Sequence, residues 1–274
     1  ANPTSIAGHI TASGNISASG DIVNTGNITS DVITGICKSK LSFSKIIISP
    51  RNKDKAKYPK KNFKSKIIIA KSNQEVINKS NWVFLGVLPN IGRKILPNLN
   101  FRNNQTIVSF ISTINYNQLK KITNKKASIV RAIPMPPISL GKGPIALYPP
   151  NKKVKNFFDK IGTSIEIKNE KLSNNFWAIS GTMASFYELL KVLSEWQVKK
   201  GLKRSYAQKY VTSLYSALAQ LAEVHSSKNL KKFVLDSQTP GGLNWQGVNE
   251  LRKSGYFKSL EKSVNNILKR LNKA

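Results

Sequence analysis

The sequence holds one cysteine, Cys37, and two histidines, His9 and His225, among 274 residues. A single thiol excludes a disulfide framework and a Cys-rich zinc site. Two histidines cannot build a multi-histidine centre, so no bound metal is expected. Acids are scarce too: 13 Asp plus Glu stand against 44 Lys plus Arg, a net charge of +31. No apolar run approaches the roughly 20 residues that span a bilayer. Stretches such as Ile46–Ile48 and Ile67–Ala70 are strand-sized. No basic segment leads into an apolar one at the start, so a secretory signal is not expected. Ala1 in place of Met fits a fragment or a processed product. What is there is globular: 40% hydrophobic residues are enough for a real core. A cytoplasmic protein without a membrane partner is the expectation.

The excess of cations raises nucleic acid as a partner. Only 7 of the cations are Arg, whose bidentate fork reads bases and phosphates. The lysines are scattered along the chain among abundant Ile and Asn. These three residues share A/T-rich codons, so a genome-wide bias accounts for the charge. No specific nucleic-acid partner is expected. A basic nucleic-acid-binding protein stays open as a third reading, and its mark would be salt-sensitive DNA binding.

The first residues form a distinct leader. Gly8, Gly14, Gly20 and Gly26 fall six apart, opening the units GHITAS, GNISAS, GDIVNT and GNITSD. Each carries an Ile two places later. Such short periods suit β-helical stacking, yet four units bury little surface alone. Residues 1–20 are therefore expected to be a poorly ordered leader.

Beyond it, short β-like runs alternate with helical stretches. The strand candidates are Ile46–Ser49, Lys66–Ala70, Trp82–Val87, Thr106–Ile111 and Ser128–Ala132, with a last strand near Ser164–Lys168. Helices are expected at Ile33–Lys40, Lys53–Phe63, Gln74–Lys79, Arg93–Leu96, Asn117–Lys121 and Lys152–Lys160. Alternation of this kind predicts an open parallel sheet with helices on both faces. From about residue 170 the chain turns helical. Asn174–Lys199 reads as one long helix, with Phe176, Ile179, Met183, Phe186, Leu190, Leu193 and Trp196 at helical spacing. Ser205–Val224, Asn229–Leu235, Leu243–Lys253 and Phe257–Asn272 follow. The fold class is thus α/β: a Rossmann-like doubly wound parallel sheet over 21–168, then an all-helical domain over 169–274.

In such a sheet the first strand, turn and helix cradle a dinucleotide phosphate. The candidate is Ile22-Val23-Asn24-Thr25-Gly26-Asn27-Ile28-Thr29. Of a G-x-G-x-x-G/A pattern only Gly26 fits cleanly, since Asn24 holds the first glycine position and Thr29 the last. The competing reading assigns these residues to the hexad repeat. At the end of the second strand, Ile48-Ser49-Pro50-Arg51-Asn52 holds no acid for a ribose 2′-hydroxyl. Ser49 and Arg51 suit a 2′-phosphate instead, which favours NADPH over NADH.

Later motifs carry a family resemblance. Val83-Phe84-Leu85-Gly86-Val87-Leu88-Pro89 resembles the fourth strand and turn of pyrroline-5-carboxylate reductases, and Thr239-Pro240-Gly241-Gly242 with Gly247 and Leu251 resembles their most characteristic loop. Arg131-Ala132-Ile133-Pro134, Ile161-Gly162, Glu170, Ser180-Gly181-Thr182, Gly201 to Arg204 with Ala207, and Asn73 match as well. The resemblance spans about Asn24 to Leu271. It implies an NAD(P)H-dependent oxidoreductase acting on C=N, reducing 1-pyrroline-5-carboxylate to proline. It also implies that the helical domain is a dimerisation domain, that the chain is a homodimer or higher homo-oligomer, and that the site lies between the dinucleotide and a partner's helices. By that pattern Gly26, Asn27 and Ile28 meet the pyrophosphate, and Ser49, Arg51 and Asn73 lie at the adenosine end. Val87, Leu88 and Pro89 lie under the nicotinamide-ribose path, with Ser112 and Thr113, also cofactor-binding, following the next strand. Gly241, Gly242, Leu243, Asn244, Thr182 and Met183 form the substrate end. A cyclic iminium is already an electrophile, so no side chain is singled out as acid or base.

The sequence departs from the family mainly at the substrate end. Met183-Ala184-Ser185-Phe186 replaces Gly-Pro-Ala-Tyr, and Leu243 and Asn244 stand where Thr or Ala-Thr is usual. A different imine or carboxylate substrate, or a non-catalytic dimer with an impaired phosphate loop, are the alternatives. Cofactor binding separates the last of these from an enzyme.

Overall fold

The computed structural model describes residues 16–19, 28–50, 61–111, 113–123 and 127–273. The chain divides into two compact units, Ala1–Phe176 and Trp177–Ala274.

The first unit is built on one sheet of eight strands. They are β1 (Ile16–Ser19), β2 (Ile46–Ile48), β3 (Ile67–Ile69), β4 (Trp82–Leu85), β5 (Thr106–Ser109), β6 (Ser128–Ile133), β7 (Pro144–Tyr148) and β8 (Thr163–Glu166). Their order across the sheet is β3-β2-β1-β4-β5-β6-β7-β8. Every neighbouring pair is parallel except β6 and β7. The six strands β1 to β6 thus keep the 3-2-1-4-5-6 order of the dinucleotide-binding fold. Helices α1 (Ile28–Lys38), α2 (Asn73–Asn78), α3 (Pro89–Ile95), α4 (Tyr116–Ile122) and α5 (Lys152–Phe158) connect the strands.

Strand alternation makes two cores. In β4, Trp82 and Phe84 join one buried cluster and Val83 and Leu85 the other. On the first face α1 contributes Val32, Ile33 and Ile36, and α5 contributes Phe157 and Phe158. The Phe157 ring lies 4.9 Å from Trp82 and 5.6 Å from Phe84. On the second face Ile77, Leu96, Ile114 and Leu119 cover Ile107 and Ile129. β-Branched residues on both faces of a strand mark it as buried on both sides, as parallel strands are.

The second unit holds α6 (Ser173–Ser180, which begins just ahead of the division), α7 (Met183–Lys199), α8 (Arg204–Val224), α9 (Leu230–Asp236), α10 (Leu243–Lys253) and α11 (Tyr256–Lys273). Its own interior is thin. Ala178, Ser194, Ala207 and Val211 are buried, while Phe186, Trp196, Tyr210 and Leu218 stay exposed. Among the described residues no helix is long and apolar enough to cross a membrane.

Several expectations change. The first strand is Ile16–Ser19, inside the stretch read as a poorly ordered leader; Ile22 and Val23 fall outside the described residues. The second hexad, with alternating apolar and polar positions, serves the period of a strand as well as that of a repeat. Most of the helix expected at Lys53–Phe63 also falls outside the described residues. β7 was hidden behind Pro134, Pro136 and Pro137; it begins at Pro144 and runs antiparallel to β6, so the sheet is not wholly parallel. The long helix expected over Asn174–Lys199 is broken at Gly181 and Thr182. There the Thr182 hydroxyl donates to Ile179 O (2.7 Å), and a Cβ on Gly181 would meet Ile267 Cδ1 at 3.1 Å. The division after Phe176 comes later than the boundary expected at 168. The 3-10 turn Glu170–Leu172 stays with the sheet because Glu170 is bonded to Tyr116 and Arg131.

Candidate active site

The strand order reverses between β1 and β4, and the crevice at the C-terminal strand ends there is where a dinucleotide fits. Six expected residues sit along this rim. Ser49 follows β2, and its hydroxyl donates to Asn73 Oδ1 (2.7 Å) at the start of α2. This bond brings two residues of the expected adenosine end together. Val87, Leu88 and Pro89 follow β4: Val87 is buried, Leu88 is the N-cap of α3, and Pro89 is its first residue. Proline there has a fixed φ suited to a helix start and lacks an N–H that would go unpaired. Thr113 follows β5, and its carbonyl accepts from Arg93 Nη2 (2.8 Å) on α3. Gly26, Asn27, Arg51 and Ser112 lie outside the described residues.

Ile28 opens α1, and Thr29 beside it is buried with its hydroxyl lacking a hydrogen-bond partner among the described residues. Thr29 occupies the position where the dinucleotide fold uses a small residue for close helix packing. Gly86 makes room for it: a Cβ on Gly86 would fall onto the Thr29 hydroxyl. Gly86→Ala is therefore expected to destabilise the sheet unit by about 1–3 kcal/mol through overpacking. Thr29→Ala should recover most of that loss in the double variant, a non-additivity that urea unfolding reads directly. Asp31 stands in the first turn of the same helix, and burial pushes its carboxyl above the usual range. Cys37 is buried further along α1, where burial raises its thiol to about 11, so it stays protonated and is no nucleophile.

The expected substrate residues lie in the helical unit. Gly241 takes φ +73°, a left-handed conformation that favours glycine. Gly242 is the N-cap of α10, with no side chain capping the helix. The first-turn N–H groups of α10 thus have no side-chain cap in place, and they carry the positive end of the helix dipole. Leu243 is 86% exposed beside them. Asn244 Nδ2 donates to Ser237 O (2.9 Å), so this amide braces the turn. Thr182 commits its hydroxyl proton to Ile179 O, and Met183 opens α7. His225 caps the end of α8, its ring 5.6 Å from Phe233.

Two residues at the rim carried no sequence signal. Arg93 is one basic residue among many, and only the fold places it on the Thr113 carbonyl. Tyr116 matters through its backbone N–H, which donates to Glu170 Oε1 (2.7 Å). Arg131 and Glu170 were visible only as pieces of family motifs; they form an ion pair at 2.5 Å.

A doubly wound sheet with a polar C-terminal rim, followed by an apolar-faced helical unit, defines an oxidoreductase-type dinucleotide fold joined to an association domain. The comparisons make this specific. Residues 170–274 match the model of pyrroline-5-carboxylate reductase dimerisation, and residues 21–116 match that of the coenzyme F420-dependent NADP oxidoreductases. A pyrroline-5-carboxylate reductase of Synechocystis is 26% identical over 208 residues, covering 72% of this chain and 76% of its own. Pyrroline-5-carboxylate reductase 3 of Danio rerio is 25% identical over 238 residues, covering 81% and 78%. The solved 1-pyrroline-5-carboxylate reductase of Streptococcus pyogenes superposes with a TM-score of 0.79 at 22% identity, over 95% of this chain and 99% of that one. The pyrroline carboxylate reductase of Plasmodium falciparum, solved with NADP bound, gives 0.79 at 18% identity, over 95% and 98%. These likenesses are those of a divergent relative of the pyrroline-5-carboxylate reductases.

Proposed function

We propose that this protein reduces 1-pyrroline-5-carboxylate to proline with NADPH, in the cytoplasm and as a homo-oligomer. One observation carries the reading. The same chain joins the 3-2-1-4-5-6 strand order to a Gly241-Gly242 turn that opens α10 without a side-chain cap. The first feature suits a dinucleotide and the second a substrate carboxylate. The rim residues fit the cofactor: Ser49 and Asn73 form a neutral polar pair at the adenosine end, and Ile48-Ser49-Pro50-Arg51-Asn52 contributes no carboxylate to repel a phosphate.

The bound nicotinamide would supply the hydride. The protein's part is placement. Val87, Leu88 and Pro89 form one wall of the nicotinamide path, apolar and rigid. The N–H groups of Leu243 and Asn244 suit the substrate carboxylate, and a carboxylate held at one point orients the ring that carries it. The iminium nitrogen arrives protonated, which leaves no proton transfer for a side chain to perform before reduction.

Arg51 and Ser49 set the choice of NADPH over NADH. Arg51→Ala should weaken NADPH by roughly 1.5–3 kcal/mol, the value of a charge-assisted bond. NADH binding should barely change. Titration followed by nicotinamide fluorescence measures both, and equal losses would refute the assignment.

A second reading changes only the substrate. Asn244 spends its donor on Ser237 O, and Leu243 presents an exposed apolar side chain beside the turn. These two features favour a bulkier, less polar imine carboxylate. Relative kcat/KM for 1-pyrroline-5-carboxylate and for ring-enlarged or alkylated cyclic imines decides between the two.

A further inference from the structure

The loop after β5 is held from both of its ends by groups outside it. At its start α3 packs closely: a Cβ on Gly92 would meet Ile111 Cδ1 at 3.2 Å and Ile114 Cδ1 at 3.3 Å. One residue on, Arg93 Nη2 donates to Thr113 O at 2.8 Å. At its end Asn115 caps α4 in a reciprocal box with Gln118, at 2.9 Å and 3.0 Å. The next N–H, that of Tyr116, donates to Glu170 Oε1 at 2.7 Å. The same oxygen accepts from Arg131 Nη1 at 2.5 Å, and Arg131 is buried in β6. Glu170 is itself placed by the turn it opens, where Asn169 Oδ1 accepts from Lys171 N at 3.0 Å.

We infer that Arg93 and Glu170 are positioning residues for the nicotinamide half of the cofactor. The inference rests on the function proposed above, which puts Val87–Pro89 along the nicotinamide path, and on Thr113 as the expected cofactor residue that follows the neighbouring strand β5. Arg93 links these two segments. Its helix begins at Pro89, directly after Leu88, and its guanidinium reaches the Thr113 carbonyl. A ligand wall formed by Val87–Pro89 therefore cannot shift against one formed by Thr113 without breaking the Arg93 bond. Glu170 holds the other end. It accepts the α4 N–H, and a carboxylate at a helix start is also favoured by the dipole. Its own charge is balanced by Arg131, so the brace is anchored to the sheet. Preorganised walls bind and orient without reordering when the ligand arrives.

Neither residue touches the reacting atoms, so the effect must appear as misplacement. Arg93 is exposed, and Arg93→Ala should leave the melting temperature nearly unchanged. It should weaken NADP+ binding and lower kcat, each by about fivefold to tenfold, with KM for the imine held. Arg93→Lys, which can still donate one bond to Thr113 O, should recover part of both. Glu170→Gln keeps an acceptor for Tyr116 and loses the charge pair with Arg131. It should speed amide exchange in the segment 113–119 and weaken NADP+ binding, and Glu170→Asp should lie between it and the parent. Full-length protein serves throughout, with NADP+ titration and amide exchange as readouts besides activity. A parent that fails to bind NADP+ overturns the proposed function, and this inference falls with it. A parent that binds, with Arg93→Ala and Glu170→Gln binding equally well, overturns this inference alone. A loss confined to melting temperature does the same, because it would make both residues merely structural.

Discussion

Ala18→Pro is expected to abolish cooperative folding of the sheet-bearing unit. Ala18 lies in β1, opposite Ile48 of β2 and Phe84 of β4. The strand pairs over three positions on one side and four on the other, all parallel. Proline removes a ladder donor and is excluded from central strands, at a cost of about 3 kcal/mol or more. Deleting residues 1–19 should act more strongly, since both neighbours then lose every partner on that side. Each lost backbone bond is worth about 0.5–1.5 kcal/mol, and exposing an unsatisfied group costs more. Several such losses match the whole stability of a domain, about 5–15 kcal/mol. The readout is amide exchange at Val83–Leu85 in β4: protected in the parent, open in both variants. A truncated chain that keeps its β4 protection would show that the leader contributes nothing to the sheet.

That strand also marks where the sequence stopped being legible. β2, β4, β5 and β6 could be read because Ile, Val, Phe and Thr fill both of their faces, as buried parallel strands require; β3 is an edge strand with Ile68 and Ile69 exposed, and its run of Ile marked it through β-propensity alone. β1 is Ile-Ser-Ala-Ser, apolar at alternate positions only, and it sits inside a glycine-spaced repeat. Local pattern there favoured the repeat, and only pairing with β2 and β4 reveals a strand. β7 failed for a different reason. A proline at its first residue is tolerated at a strand start, yet in sequence it reads as a continued break. The split between α6 and α7 is tertiary as well, since the helical stripe runs through Gly181 without interruption and Ile267 of α11 crowds that point. The candidate site divides the same way. Ser49 was singled out because it ends a strand with no acid beside it, whereas Asn73 and Gly241-Gly242 were singled out through the family resemblance. Arg93 and Tyr116 were not, because their partners Thr113 and Glu170 are distant in the chain or reached through backbone atoms.

Leu214→Asp combined with Leu218→Asp should convert the protein to a monomer near 30.4 kDa, as read by light scattering. Both lie on α8, where Tyr206, Tyr210, Leu214 and Leu218 recur every four residues and form one stripe. Only Ala207 and Val211 of this 21-residue helix are buried within the unit. Leu218 is 53% exposed, as are Leu221 to the same degree and Trp196 on α7 to 58%. Apolar surface on this scale exceeds the scattered exposure normal for a monomer, and it calls for a partner. The occupant is a second copy of the chain, because residues 170–274 match a dimerisation family rather than a ligand-binding one. Each Leu side chain returned to water forfeits roughly 1.5–3 kcal/mol, and each carboxylate buried without a partner adds a penalty of several more. The assembly constant should therefore weaken by more than about a thousandfold, taking 1.4 kcal/mol per factor of ten. The sheet unit should be untouched, with NADP+ binding and β4 exchange protection at parental values. A double variant that scatters as the parent does would place the interface on another face of these helices, and Phe186 and Trp196 of α7 would be the next residues to change.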